Sequence, residues 1–145
     1  MTNATTTIPT SILTNGDSTQ TAQRPALWRA GAASGAVAAA ATTAVVVAAR
    51  AADIPVAVGG EEIPLAGFAQ LTVFATIIGV VLAKVLSRRA GRPRHTFTVT
   101  TMALTAVSLV PDVLVDATAG SKAILMLTHI VAAAIVIPAL AKRVS

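Results

Sequence analysis

Residues 29–50 read RAGAASGAVAAAATTAVVVAAR: twenty uncharged residues, 30–49, closed at either end by Arg29 and Arg50. The hydrocarbon core of a bilayer is about 30 Å thick, and a helix crosses it in about 20 apolar residues. A helix of a soluble bundle needs a polar face repeating every 3.6 residues. Residues 36–49 carry no charge on any face. The stretch therefore predicts a transmembrane helix. A cleaved signal peptide is the competing reading, because Ala49-Arg50-Ala51 has the small-x-small form of a cleavage site. Twenty-nine residues precede the run, and its twenty residues exceed the 7–15 of a signal core, so an uncleaved span is expected.

Three further runs extend the pattern. Residues 63–83 are uncharged and end at Lys84. Residues 96–116 are uncharged through Pro111 and reach a full span only by including Asp112 and Asp116 at the far end. Residues 123–141 lie between Lys122 and Lys142 and contain one ionisable residue, His129. Backbone amides in hydrocarbon must be paired within their own segment, which selects helices. A barrel would need alternating strands of about ten residues, a pattern these runs lack. The expected fold class is all-α, an integral membrane bundle of four transmembrane helices over residues 26–145. Across 145 residues, 54% are hydrophobic and 12% charged. An ordinary soluble domain carries about twice that share of charge. Residues 1–25 differ in kind. Eight threonines, two serines and two asparagines in the first 23 residues cannot build a core, and a disordered cytoplasmic tail is expected.

The charges between the runs set an orientation. Lys and Arg concentrate on the cytoplasmic side in short loops. Nine of the eleven basic residues fall on one side, in the N-terminal tail, the loop after the second run and the C-terminus. The expectation is an inner (cytoplasmic) membrane protein with both termini in the cytoplasm. Arg88, Arg89, Arg92 and Arg94 form the densest group, a topology signal at the lipid headgroups. Nucleic acid, the usual partner of a net charge of +5 on a soluble chain, is not expected, because these bases sit between apolar runs. The expected partner is the lipid bilayer, with other membrane proteins or a second copy of the chain as further candidates. Trp28 and Phe97 fit interfacial anchors at the inner boundary. On the other side, Gly59-Gly60 between two short apolar stretches predicts a tight hairpin capping the outer face.

Polar groups inside a membrane are costly, and each is a candidate site. At 1.5 Å per residue, Thr42, Thr43, Gln70 and His129 lie roughly 10 Å below the outer boundary. Asp112 lies about 6 Å from Asp116 along its helix, and Ser108 one turn further down the same face. The last two runs are joined by a very short loop, which makes them antiparallel neighbours and brings Asp112 to the height of His129. The expected arrangement is a polar cluster opening to the outside, centred on an Asp112–His129 pair. Such a pair can relay protons, bind a cation or orient a polar substrate. Alternatively, these groups only hydrogen-bond between helices, contacts that average about 0.6 kcal/mol. Pro111 and Pro138 interrupt the hydrogen-bond ladders of their helices. Gly31 and Gly35 form a small-xxx-small spacing that lets helices approach closely, within the chain or between chains.

Several activities lack their residues. There are no cysteines, which removes thiol redox chemistry and thiolate metal sites. The two histidines, His95 on the cytoplasmic side and His129 in the outer leaflet, do not share a depth and cannot hold one haem. Small four-helix multidrug exporters rely on a buried acid in the first helix, and residues 30–49 have none. No catalytic set is defined, and neither a cofactor nor a metal is expected.

Four stretches carry a family resemblance: Leu27-Trp28-Arg29-Ala30-Gly31, Ile63 through Leu71, Ser108 through Asp112, and Leu127-Thr128-His129-Ile130 with Pro138-Ala139-Leu140. Over roughly residues 26–143 the chain resembles a family of small, uncharacterised four-span membrane proteins of high-GC bacteria, a domain of unknown function. The resemblance implies a four-helix membrane protein and brings no activity with it. The leading expectation is a structural or interaction module without catalytic activity. The alternative is a small transporter or proton-coupled carrier using the outer-leaflet polar cluster.

Overall fold

Uncharged apolar runs of this length satisfy their backbone as helices, and the computed structural model, which describes residues 18–144 and side chains from Ala26 onward, contains four. They are α1 (Ser18–Ala51), α2 (Leu65–Arg89), α3 (Pro93–Leu114) and α4 (Ala119–Ala141). Between α1 and α2 lies a two-stranded antiparallel hairpin, β1 (Ala57–Val58) and β2 (Glu61–Glu62). Each helix is long and apolar enough to cross a membrane.

The boundaries follow local chemistry. Pro93 occupies the first turn of α3, where its missing N–H costs nothing and its fixed φ favours the helix. The helix therefore starts three residues before the expected 96 and takes in Arg94 and His95. It also ends earlier than expected, because Val115 turns extended (φ −61°, ψ 147°), which leaves Asp116 in the loop. Thr118 caps α4 by accepting from Ser121 N. Residues 1–17 of the expected tail lie outside the described residues. The rest of it, 18–25, is helical, a difference from the expectation of disorder. Extending an established helix costs far less than nucleating one, and needs no core of its own.

Side chains are distributed in a way a soluble domain avoids. Leu71, Phe74 and Val107 are 67%, 62% and 65% exposed, while Thr42, Thr76, Thr101 and Asp112 are buried. Broad apolar flanks with polar groups inside suit a surrounding of lipid rather than water.

α1 packs along α2 and α4, and α3 lies against α4 and α2. The close approach of α1 to α2 depends on glycine. A Cβ at Gly31 would overlap Val80, and one at Gly35 would sit 3.0 Å from Thr76 Cγ2. Two apolar clusters close the ends of the bundle. One joins Leu27, Val80, Ala83, Phe97 and Leu140. The other joins Val46, Ala49, Phe68 and Leu125 with Val56 from the hairpin.

The hairpin caps that second end, as its sequence predicts. Gly59 and Gly60 adopt φ of +59° and +84°, the positive angles a two-residue hairpin turn requires. Ser121, fully buried, donates to Pro55 O at 2.6 Å, and Gly59 N donates to Asp116 O at 2.8 Å. Arg50 Nη2 donates to Ile63 O at 2.6 Å and lies 3.8 Å from Glu62 Oε2.

Candidate functional site: an intramembrane carboxylate–imidazole pair beside a cleft

Residues 30–49, 65–83, 96–114 and 123–141 hold two ionisable side chains, Asp112 and His129. The α3–α4 hairpin brings them together. His129 Nδ1 lies 2.8 Å from Asp112 Oδ2 and 3.1 Å from Leu125 O, one turn back on its own helix. A single N–H cannot point at both. The Leu125 carbonyl has the directional geometry, and Oδ2, buried, has no aligned donor. Asp112 is almost fully enclosed, while the His129 side chain keeps 40% of its surface exposed. Pro111 helps to set this corner: it contributes no N–H to the ladder, and its own carbonyl accepts from Val115 N at 2.8 Å where the helix ends.

The pair has two proton counts with different consequences. With one ring proton on Nδ1 and the carboxyl ionised, Nε2 is a bare acceptor. Adding a proton puts hydrogen on Nε2 by either route. An imidazolium carries it directly. A protonated Oδ2, 2.8 Å from Nδ1, donates to that nitrogen and leaves the ring hydrogen on Nε2. One proton thus switches Nε2 from acceptor to donor and removes one negative charge.

His129 also lines a cleft of about 360 Å³ enclosed by α2, α3 and α4. From Thr72, Ser108 and His129 the cleft reaches Phe97 and Leu140 at the other end of the bundle. Ser108 and Phe97 are eleven residues apart on α3, about 16 Å of rise. The lining residues that are exposed, Ala75 and Ile78 of α2 and Leu104 of α3, place the opening on the flank between those two helices. The opening thus lies on a flank, whereas the expected cluster opened toward the end that the hairpin caps.

The other expected members divide. Thr42, buried, meets Thr72 at 3.2 Å across the α1–α2 contact, and Thr72 lines the cleft on its other side. Thr43 donates to Ala39 O of its own helix. Ser108 lines the cleft and donates to Thr105 O at 2.7 Å. Its proton goes to that carbonyl, and no hydrogen bond joins it to His129. Gln70 is exposed and stands apart from the cluster. Thr72, two residues on, faces inward, and two residues are about 200° of helix rotation. Arg88, Arg89, Arg92 and Arg94 are exposed at the α2–α3 corner.

Thr72, Thr76, Thr101 and Thr105 line the cleft and were not expected to be site residues. A sequence signal for two of the four exists: Thr101 and Thr105 fall with Ser108 and Asp112 at spacings of 4, 3 and 4, one face of a helix. On α2, Thr72 and Thr76 stand four apart in the same way.

Among known proteins, no curated sequence and no solved structure matches the chain. The profile of a family of unknown function (DUF6069) matches residues 22–145. The match takes in all four helices from residue 22 of α1 onward, with both residues of the pair and every residue of the cleft, and the chain belongs to that family.

Proposed function

We propose that this protein is a small proton-coupled carrier of the bacterial cytoplasmic membrane, with both termini in the cytoplasm and the Asp112–His129 pair as its proton-handling site. The supporting observation is the 2.8 Å contact between a buried carboxylate and an imidazole that lines a cleft. An aspartate at the centre of a spanning helix costs roughly 2.5–3.5 kcal/mol on insertion scales, and Asp112, in the last turn of α3 but buried, bears part of that cost. Helix packing alone is served by threonine at far lower cost, as Thr42 and Thr72 do. The alternative, an interaction module, drew on the Gly31–Gly35 face, and that face lies against Val80 and Thr76 of the same chain. The orientation rests on the nine bases at one end of the bundle.

The test is proton flux in vesicles loaded with a pH-sensitive dye. Wild-type protein is expected to dissipate an imposed pH gradient, and Asp112→Asn and His129→Ala to slow it. Both variants are checked for wild-type thermal unfolding in detergent. Wild-type vesicles no leakier than empty ones, or flux that neither change alters, would refute the carrier.

A further inference from the structure

We infer that the cleft binds an apolar amine in its protonated, ammonium form, admitted from the bilayer between α2 and α3. The inference deepens the carrier reading by naming its substrate class. It starts from the protons of the cleft's hydroxyls. Thr72 donates to Phe68 O at 2.7 Å, Thr76 to Thr72 O at 2.8 Å, and Thr101 to Phe97 O at 2.7 Å. Thr105 donates to Thr101 O at 2.9 Å and Ser108 to Thr105 O at 2.7 Å. A hydroxyl has one proton and two lone pairs. With the proton committed to the helix, what remains toward the cleft is acceptor.

His129 follows the same rule. Nδ1 is turned to Leu125 O with Asp112 Oδ2 2.8 Å away, which leaves Nε2, an acceptor whenever the pair lacks its second proton. The wall is otherwise carbon, from Ile78, Leu82, Phe97, Leu104, Val136 and Leu140. An apolar body with a hydrogen-bond-donating end is the complement of such a wall. The unprotonated pair adds a net negative charge, and a donor that is also a cation matches it. The other charges around the pair are engaged or exposed at the capped end, and the nearest is Lys122, whose ammonium meets the carbonyl of Val113 beside Asp112. Apart from Asp112 and His129, residues 30–49, 65–83, 96–114 and 123–141 carry no ionisable side chain. At the capped end Arg50 is engaged by Ile63 O and Glu62, Lys122 donates to Val113 O at 2.8 Å, and Asp116 is exposed in the loop. A volume of about 360 Å³ lies in the range of small-molecule sites. The opening, bordered by exposed Ile78 and Leu104, faces the side from which a lipid-dissolved amine arrives.

The competing occupant is an acyl chain, for which donor chemistry is irrelevant. The probes are therefore n-decylamine and methyl nonyl ether, of similar length, one a donor and the other an acceptor only. Full-length protein with ¹⁵N-labelled histidine is placed in phosphatidylcholine nanodiscs, and the ring nitrogens are followed by NMR. The chain has two histidines, and exposed His95, at the opposite end, is the internal reference. Decylamine is expected to shift the His129 nitrogens saturably while His95 stays fixed and the ether has no effect. Asp112→Asn is expected to weaken decylamine binding by about tenfold or more. If that variant fails to fold, the Thr105→Val, Ser108→Ala double variant removes two acceptors with little change of shape and is expected to weaken it similarly. Equal shifts from both probes, or none from the amine, overturn the inference. Proton flux without amine binding leaves the carrier standing and removes this ligand. Amine binding without flux does the reverse.

Discussion

Replacing Gly31 with alanine tests the α1–α2 contact on which the bundle is built. The new methyl would overlap Val80. Val80 is 2% exposed and β-branched, so its side chain has almost no other rotamer in a helix. Relief requires the helices to move apart, a strain of about 1–3 kcal/mol. Alanine in a helix interior recovers about 0.5–1 kcal/mol relative to glycine. The net expectation is a loss of about 1–2 kcal/mol. Two comparisons isolate the clash. At Gly35 the nearest atom to an added Cβ is Thr76 Cγ2 at 3.0 Å, and at Gly67 it is 3.7 Å away, an ordinary contact. The expected order of destabilisation is Gly31→Ala, then Gly35→Ala, then Gly67→Ala. Trimming the obstructing side chain with Val80→Ala removes the overlap. The double variant should therefore be more stable than the sum of the single losses predicts, by about 1–3 kcal/mol. The assay is unfolding in mixed micelles by increasing dodecyl sulfate, followed by the fluorescence of Trp28, the chain's one tryptophan. Trp28 adjoins Leu27 of the cluster around Phe97 and Leu140 and reports on it directly. A cycle additive within about 0.5 kcal/mol, or a Gly31→Ala variant as stable as Gly67→Ala, would show that α1 does not approach α2 in this way.

Thr42→Val with Thr72→Val should show a coupling of about 0.6 kcal/mol in the same unfolding assay; zero coupling would mean the 3.2 Å contact is absent in the membrane. Alanine at Gly59 or Gly60, both at positive φ, should cost about 1–2 kcal/mol locally. It should speed amide exchange at Ile54–Ile63 and leave the centres of α2 and α4 protected; unchanged exchange counts against the hairpin. Single cysteines are free of background in a chain without them. A membrane-impermeant maleimide should reach Cys at position 60 only from outside and Cys at position 91 only from the cytoplasm, and labelling of both from one side would refute the four-span topology.

Much of the fold was legible because its cause is local. Residues 30–49 or 123–141 have no polar face to offer water, and an apolar run long enough to span must pair its own backbone. The Gly59-Gly60 hairpin was legible for a similar reason, since few residues tolerate its φ angles. The Asp112–His129 approach could be anticipated because a short α3–α4 loop leaves one way to fold back. Helix ends were less accessible. Val115 leaves helical geometry where hydropathy continues, and residues 18–25 continue a helix where composition suggested none.

The site divides in the same way. Which residues are polar at a given depth is a matter of counting along a helix, and the sequence by itself placed Thr42, Gln70, Asp112 and His129 near one level. Which of them meet depends on the rotation of each helix about its axis, and packing sets that rotation. Wedged against α1 through Gly31 and Gly35, α2 turns Thr72 and Thr76 inward and Gln70 outward. Between α2, α3 and α4 there is then a cleft in which the hydroxyls of two helices, and the imidazole of α4, line one volume. Helical propensity and apolarity belong to segments read one at a time, whereas a cleft belongs to three segments together, and only tertiary structure fixes how they are turned toward one another.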